Sequence, residues 1–555
     1  MSLRPRKPDP IPEETARIAQ AAFPAGNLYV RMRDAVDVLY KDEDLAQLFP
    51  AHGQPAEAPW RLALVTIFQF AEGLSDRQAA DAVRGRIDWK YALSLALTDP
   101  GFDHTVLSEF RGRLVAGGAE DVLLDTLLDR FRGLGLLKAH GRQRTDSTHV
   151  LAAVRALNRL ELVRETLRHA LDVLAPVAAA WLRAHAQAEW VERYYGRSDA
   201  FRLPKSKEAQ RALADTIGAD GAALLTAIYS PTAPQWLREV PAVETLRRVW
   251  VQNYRQHEAG VRWRTTEDGI PKAAHFISSP HDGDAHLATK GTTAWIGYKV
   301  ILTETCEEDV PNLITHVETT SAPTADGEVT PRVHRALQAR GLLPQVHVVD
   351  TGFLDAELLV VSRQDYGVEL LGPTRKDQRW QARAADGFGA EHFVVDWARR
   401  QAICPEGHAS TEWVPRVDNR GNDSIYVRFS ATDCGPCPSR QRCTRSAAHP
   451  PRRSLALRPQ PQYEALRQRR EQESRRDYAH EYACRAGIEG TLSQGVRRCR
   501  LRRSRYIGLP KTHLAHVATA AALNFVRVGE WLAGTPRAKT RRSPFAVLMA
   551  PCAAP

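Results

Sequence analysis

The sequence has no stretch approaching the ~20 consecutive apolar residues that a helix needs to cross a bilayer. Its opening, MSLRPRKPDPIPEETARIAQ, has none of the apolar core of a secretory signal peptide. Cysteine is sparse, eight in 555 residues, which excludes a small disulfide scaffold. With no export signal, the expected compartment is a reducing cytoplasm and no membrane is engaged. Clustered cysteines there serve as metal ligands more often than as disulfides. There are no internal repeats. At 43% hydrophobic and 25% charged residues, the balance is that of a globular chain, not of a disordered or collagen-like one, and the length suggests about two to four domains.

The net charge of +11 is regional. Residues 451–555 hold 21 Lys/Arg against 7 Asp/Glu, whereas the preceding 450 hold 55 against 58. A basic block confined to one region points to a polyanionic partner; the bland alternative is a solvated face.

The pattern divides the chain as follows. Residues 1–58 read as a Pro-rich N-terminal arm. Residues 59–135 read as a helical DNA-binding domain. In it the apolar run Leu62–Phe70 stops at Gly73, and Ser75 with Gln78 forms a capping-box pattern. The helix from Asp76 carries Arg77 and Arg84, and Arg86, Trp89 and Lys90 follow. That grouping fits a helix-turn-helix, and an ordinary helical hairpin fits it too. Residues 136–151 hold a first strand with Asp146, and 152–275 read as a helical insert. Strand patterning returns over 285–377. Ile296, Tyr298, Val300 and Leu302 alternate with their neighbours, LITHVET and VHVVD follow with a helix between them, and Asp350 closes the second run. Residues 378–456 form an irregular Cys-rich insert. Residues 457–534 read as C-terminal helices with Glu489, and 535–555 as a basic tail. With the inserts set aside, strands alternate with helices, which gives an α/β class with a mixed sheet.

In such sheets ligands gather beyond the carboxyl ends of strands, so Asp146 and Asp350 can meet at one edge. Tyr482, Arg485 and Glu489 are spaced three and four apart and share a helical face. Glu489 is the single acid among eight Lys/Arg in residues 485–511, a setting that favours its ionised form.

The motifs RTDST (144–148), VVDTGF (348–353) and YACRAGIEG (482–490), in that order, resemble those of the DDE transposases of bacterial insertion sequences. The closer likeness is to the branch with a Tyr-x2-Arg-x3-Glu-x6-Lys signature and a helical N-terminal domain. The resemblance runs from APWRLALVTIFQFAEGLSDRQAADAV to HLAHVATAAALNFVR. It implies an RNase H-like core, with Asp146, Asp350 and Glu489 as the catalytic acids and ligands of Mg2+ or Mn2+. Three carboxylates suit a hard cation that keeps waters for exchange, and a pair of such ions can activate a water or a 3′-hydroxyl and stabilise the leaving oxygen. It also implies double-stranded DNA partners (terminal inverted repeats and target), a homodimer with one protomer per element end, and a nucleoid-associated place in a bacterial cytoplasm. The signature's Lys falls on Val496, beside Arg497 and Arg498. The expected backbone contacts are Tyr482, Arg485, Arg497, Arg498, Arg500, Arg502, Arg503, Arg505 and Lys511, since guanidinium groups bind phosphate bidentately. His149 is assigned a structural role.

A second constellation is Cys404-x3-His408 followed by Cys434-x2-Cys437-x5-Cys443. It suits tetrahedral zinc held by the four cysteines, with His408 as an alternative donor. An iron–sulfur cluster and unmetallated thiols remain open. The rival functions are a non-catalytic DNA-binding protein derived from a transposase, and a nuclease of the same fold.

Overall fold

The computed structural model describes residues 2–195, 203–258, 260–272, 274–419, 421–446 and 451–536, together with Phe545 and Leu548. At its centre is a six-stranded mixed sheet: β1 (Arg142–Leu151), β2 (His286–Lys290), β3 (Thr293–Thr305), β4 (Ile314–Ser321), β5 (Val346–Val348) and β6 (Glu369–Leu371). The order is β2-β3-β1-β5-β6, with β4 also paired to β3. β3 runs antiparallel to β1, β2 and β4, while β5 and β6 run parallel to β1. Helices Asp326–Ala339 and Ala356–Tyr366 link the parallel strands. This is the RNase H-like mixed core that the motif order implied.

The alternation expected over 295–303 does not persist, because Val300 to Thr305 are all buried. Both faces of β3 are covered there, as in sheets flanked by helices. One cover is the C-terminal helix Leu509–Leu532, which packs against β4 and is buried on nearly all sides from Thr512 to Gly529.

Residues 13–58 do not stand apart as an arm. They form helices Glu13–Ala22, Leu28–Val36 and Asp42–Leu45, and Tyr29, Met32, Tyr40 and Leu45 join the main core. The Tyr29 ring packs edge-on against Phe68 (4.6 Å between centroids) and within 6.1 Å of Phe525, so helices Leu28–Val36 and Leu509–Leu532 share one aromatic cluster. Helix Pro59–Glu72 ends at left-handed Gly73, and Ser75 and Gln78 form the expected capping box.

The helical insert has a core of its own, built around Val163, Leu167, Ile217, Leu246 and Trp250. The chain leaves the sheet at Leu151 and returns at His286, and both residues lie opposite Gly297. At Gly297 φ is +149°, and a Cβ there would come within 2.2 Å of the Val150 carbonyl, so glycine is required. The Cys-rich insert is not irregular throughout. It contains the sheet Ser410–Val417, Asp423–Phe429 and Ser454–Leu457 and a small hairpin, over a core of six buried apolar residues. The first of the C-terminal helices are Gln460–Glu473, Tyr478–Ala483 and, after a tight turn Cys484–Ala486, Gly487–Cys499. Among the described residues no helix is long and apolar enough to cross a membrane.

Candidate active site

Asp146 sits in the middle of β1 opposite Leu302, with its side chain 10% exposed. Asp350 follows β5 by two residues, and its Oδ1 accepts the Gly352 amide at 2.7 Å, which fixes the turn. Glu489 lies in the first turn of helix Gly487–Cys499 and is 64% exposed. Arg485, from the preceding turn, brings the three together. Its Nη2 lies 2.8 Å from Asp146 Oδ2 and 3.8 Å from Asp350 Oδ2, and its Nη1 lies 2.8 Å from Glu489 Oε1. Acids 204 and 139 residues apart in sequence therefore meet at one guanidinium.

Burial pushes the Asp146 carboxyl above its ordinary pKa, with Arg485 pulling the other way. Tyr482 stands at the same cluster, stacked on Tyr478 at 5.8 Å, and burial raises its hydroxyl pKa. Among the described residues no three His, Cys, Asp or Glu side chains are placed to hold a metal ion. The donor set of three carboxylates is nonetheless the kind a hard cation takes. Here Arg485 provides the positive charge between them.

A buried network seats the Glu489 helix on the sheet. Glu304, fully buried on β3, receives Arg144 at 2.6 Å and Arg527 at 2.8 Å. Thr491 Oγ1, two residues past Glu489, donates to it at 2.6 Å. Arg144, two residues before Asp146, also donates to the Cys484 carbonyl at 2.5 Å. The site's two sequence-distant halves thus share one buried carboxylate. At Gly487 a Cβ would come within 2.0 Å of the Arg144 guanidinium, so a larger residue there would have to push Arg144 off its partners Glu304 and the Cys484 carbonyl.

Sequence reasoning missed Glu304, and it missed Asp326. The latter begins the helix after β4, and its Oδ1 accepts from Ser147 Oγ at 3.3 Å and from Lys299 Nζ at 2.9 Å. A further carboxylate therefore stands against Ser147, the residue after Asp146, and close to the Gly352 turn. In the sequence it is indistinguishable from any acid in a first helical turn.

The basic residues divide. Arg498 Nε donates to the Ala71 carbonyl at 2.7 Å and Arg505 to the Leu74 carbonyl at 3.3 Å, satisfying the end of the Pro59–Glu72 helix. Arg502 Nε donates to Thr148 Oγ1 at 2.9 Å. These three, with Arg497, Arg500, Arg503 and Lys511, are all exposed, and Arg497 Nε also donates to the Ser493 carbonyl at 3.4 Å. In the N-terminal helices, Arg77 and Arg84 face outward. Arg86 instead pairs with Glu72 and Asp88, Trp89 is fully buried, and Lys90 Nζ donates to the Asp99 carbonyl at 2.7 Å. The basic and aromatic residues after that turn therefore serve packing. His149 lies against Trp295, 5.5 Å between ring centres.

Cys404, Cys434, Cys437 and Cys443 are free thiols lining one cavity of about 30 Å³ with His408, Phe388, Phe429 and Arg453. Burial pushes the Cys434 thiol up, and Cys443 to about 11. Cys306 and Cys484 face each other, and the Cys306 thiol, with Arg142 and Arg144 nearby, lowers the Cys484 thiol pKa. Cys552 lies outside the described residues.

Two family models match the chain. Residues 403–529 match the model described as Transposase DDE domain. Residues 17–113 match the one described as Transposase domain (DUF772). The first begins inside the Cys-rich insert and runs through the Glu489 helix and most of the C-terminal helix; the second begins inside the segment expected to be an arm. Both are transposase domains, and they support an insertion-sequence DDE transposase. Comparisons with curated proteins and with solved structures gave no match.

Proposed function

We propose that this protein is the DNA transposase of an insertion sequence, hydrolysing phosphodiesters at the element's ends and then joining the exposed 3′-hydroxyls to target DNA. The observation that carries this reading is the meeting of Asp146, Asp350 and Glu489 at the Arg485 guanidinium. The three acids would hold Mg2+ or Mn2+; when bound, the metal activates the attacking oxygen and stabilises the leaving one. The chain's own contributions follow from placement. Asp146 and Asp350 are fixed, one by the sheet and one by its turn. Glu489 rides on a helix seated through Thr491 and Glu304. Arg485, displaced from the acids, is within its own side-chain reach of DNA backbone at the same site, with Tyr482 beside it. Arg497, Arg500, Arg503 and Lys511 supply backbone contacts that position DNA without reading its sequence. Arg498, Arg502 and Arg505 have internal partners and contribute mainly by holding the basic segment in place. An active complex holds two protomers, one for each element end, in the bacterial cytoplasm.

The test is Asp146→Asn on a two-ended substrate carrying the element's own flanking repeats. The wild type cleaves and joins in Mg2+; the variant does neither and binds DNA with unchanged or slightly higher affinity. Cleavage without joining would make the protein a nuclease of this fold. Binding with neither cleavage nor joining, in Mg2+ and in Mn2+, identical in wild type and variant, would make it a non-catalytic binder.

A further inference from the structure

We propose that Cys404, Cys434, Cys437 and Cys443 form a structural zinc site that holds the Cys-rich insert together. The four sulfurs arrive from separate elements. Cys404 opens a tight turn, Cys434 ends the helix Ala431–Cys434, Cys437 lies in the loop after it, and Cys443 ends the helix Arg440–Cys443. All four line one cavity and none is in a disulfide.

The Cys404 turn has the geometry of a ligand knuckle. The Cys404 amide donates to the His408 carbonyl at 2.9 Å, and the Gly407 amide to the Cys404 carbonyl at 2.9 Å. Gly407 takes φ +84°, and the His408 amide is thereby aimed at Cys404 Sγ, 3.4 Å away. An N–H directed at sulfur stabilises thiolate, the form that binds metal. The His408 imidazole turns instead toward Asp433, 4.0 Å from it, and is half exposed, so it stands outside the ligand set.

The energetics call for a staple. The insert buries six apolar residues, Phe393, Ala402, Val427, Phe429, Leu455 and Leu457. Two of its cysteines end four-residue helices, far below the ~12–15 residues at which an isolated helix becomes even marginal. A small module with so little core is of the kind that structural metal completes. Zinc and an iron–sulfur cluster are separated by the metal analysis below. Arg453 lines the same cavity and offsets the negative charge that four thiolates leave on a divalent ion. The sulfurs surround the cavity without being drawn to a common point. Binding the ion therefore requires the sulfurs to draw together.

The test uses the full chain purified without chelator. Metal analysis should find one zinc per chain in a colourless protein. Cys437→Ser and Cys443→Ser should each lose it, and His408→Ala should keep it. Because the serine variants could simply misfold, the wild type stripped of metal is also titrated with Co2+. Strong sulfur-to-cobalt absorption supports four thiolate ligands. Stoichiometric iron with visible absorption, no metal together with no Co2+ spectrum, or zinc lost on His408→Ala would each overturn the proposal.

Discussion

Arg485→Gln removes the cation that three carboxylates share. Its bond to Asp146 is mostly shielded, with side-chain exposures of 17% and 10%, so its loss should cost about 2 kcal/mol, the scale of a hydrogen bond to a charged group. The bond to Glu489 adds little, at most about 0.5 kcal/mol, since that carboxylate is 64% exposed. The loss has a pH signature. Burial already holds the Asp146 carboxyl above its unfolded value, and without Arg485 the Asp350 charge raises it further. A carboxyl whose folded pKa is raised is penalised once it ionises, so stability falls as pH rises from the unfolded value through the folded one. The variant should therefore be weakest at neutral pH and approach the wild type in acid. Divalent cations sharpen the test. In the variant, Mg2+ meets acids with no guanidinium to displace, and at about ten times its Kd it should restore about 1.4 kcal/mol. The wild type should gain less. Thermal unfolding from pH 4.5 to 8, with and without Mg2+, reads both effects. Equal stabilisation of wild type and Arg485→Gln by Mg2+, or equal response when Asp146→Asn is added, would refute the view that Arg485 holds the cation's place.

Three further outcomes follow from other parts of the molecule. Replacing Arg500, Arg503 and Lys511 together by Ala should weaken duplex binding and make its salt dependence shallower by up to about 0.9 per lost contact; Arg498→Ala should instead lower the unfolding temperature, and a reversed pattern in binding and melting assays would contradict the division. Burial holds His516 down to about 3 and His334 to about 4. Both pKa values lie below that of an unfolded histidine, so stability complete above about pH 6.5 is lost as pH falls, by up to about 2 kcal/mol per residue at pH 5; His516→Asn should flatten that slope in pH-dependent melting. The Cys484 thiol, lowered by the facing Cys306 thiol, should be alkylated by iodoacetamide at pH 7 faster than Cys306 or Cys499, and Cys306→Ser should change that rate, both read by peptide mass mapping.

What could be read from the sequence depended on how local each signal was. Asp350 was legible because a short apolar run ends on it, and a buried strand's carboxyl end is a recognisable place. Glu489 and Arg485 were legible through helical spacing, although Arg485 in fact lies in the tight turn Cys484–Ala486 that leads into the Glu489 helix. Glu304 was not legible: an acid in an apolar strand carries no mark of the two arginines, 160 and 223 residues away, that satisfy it. The first 58 residues misled for the same reason. Their proline content suggests an arm, but Tyr29 and Met32 find their partners in the main core, across the whole length of the chain. The internal bonds of Arg498, Arg502 and Arg505 were not legible in the arginine block, because a guanidinium that reaches a nearby carbonyl or hydroxyl looks the same in sequence as one that does not.

The crowded glycine at the middle of β3 sets how this chain can vary in length. Since Leu151 and His286 flank Gly297 on its two sides, the ends of the helical insert are about two strand spacings apart, roughly 10 Å. A linker of about four residues spans that gap. The insert's own core travels with it, so the excursion can be shortened, exchanged or removed without altering the register that sets Asp146 against Leu302. The wide separation of the first two acids then reflects cargo hung on a hinge point, and the distance that matters to the chemistry is independent of it.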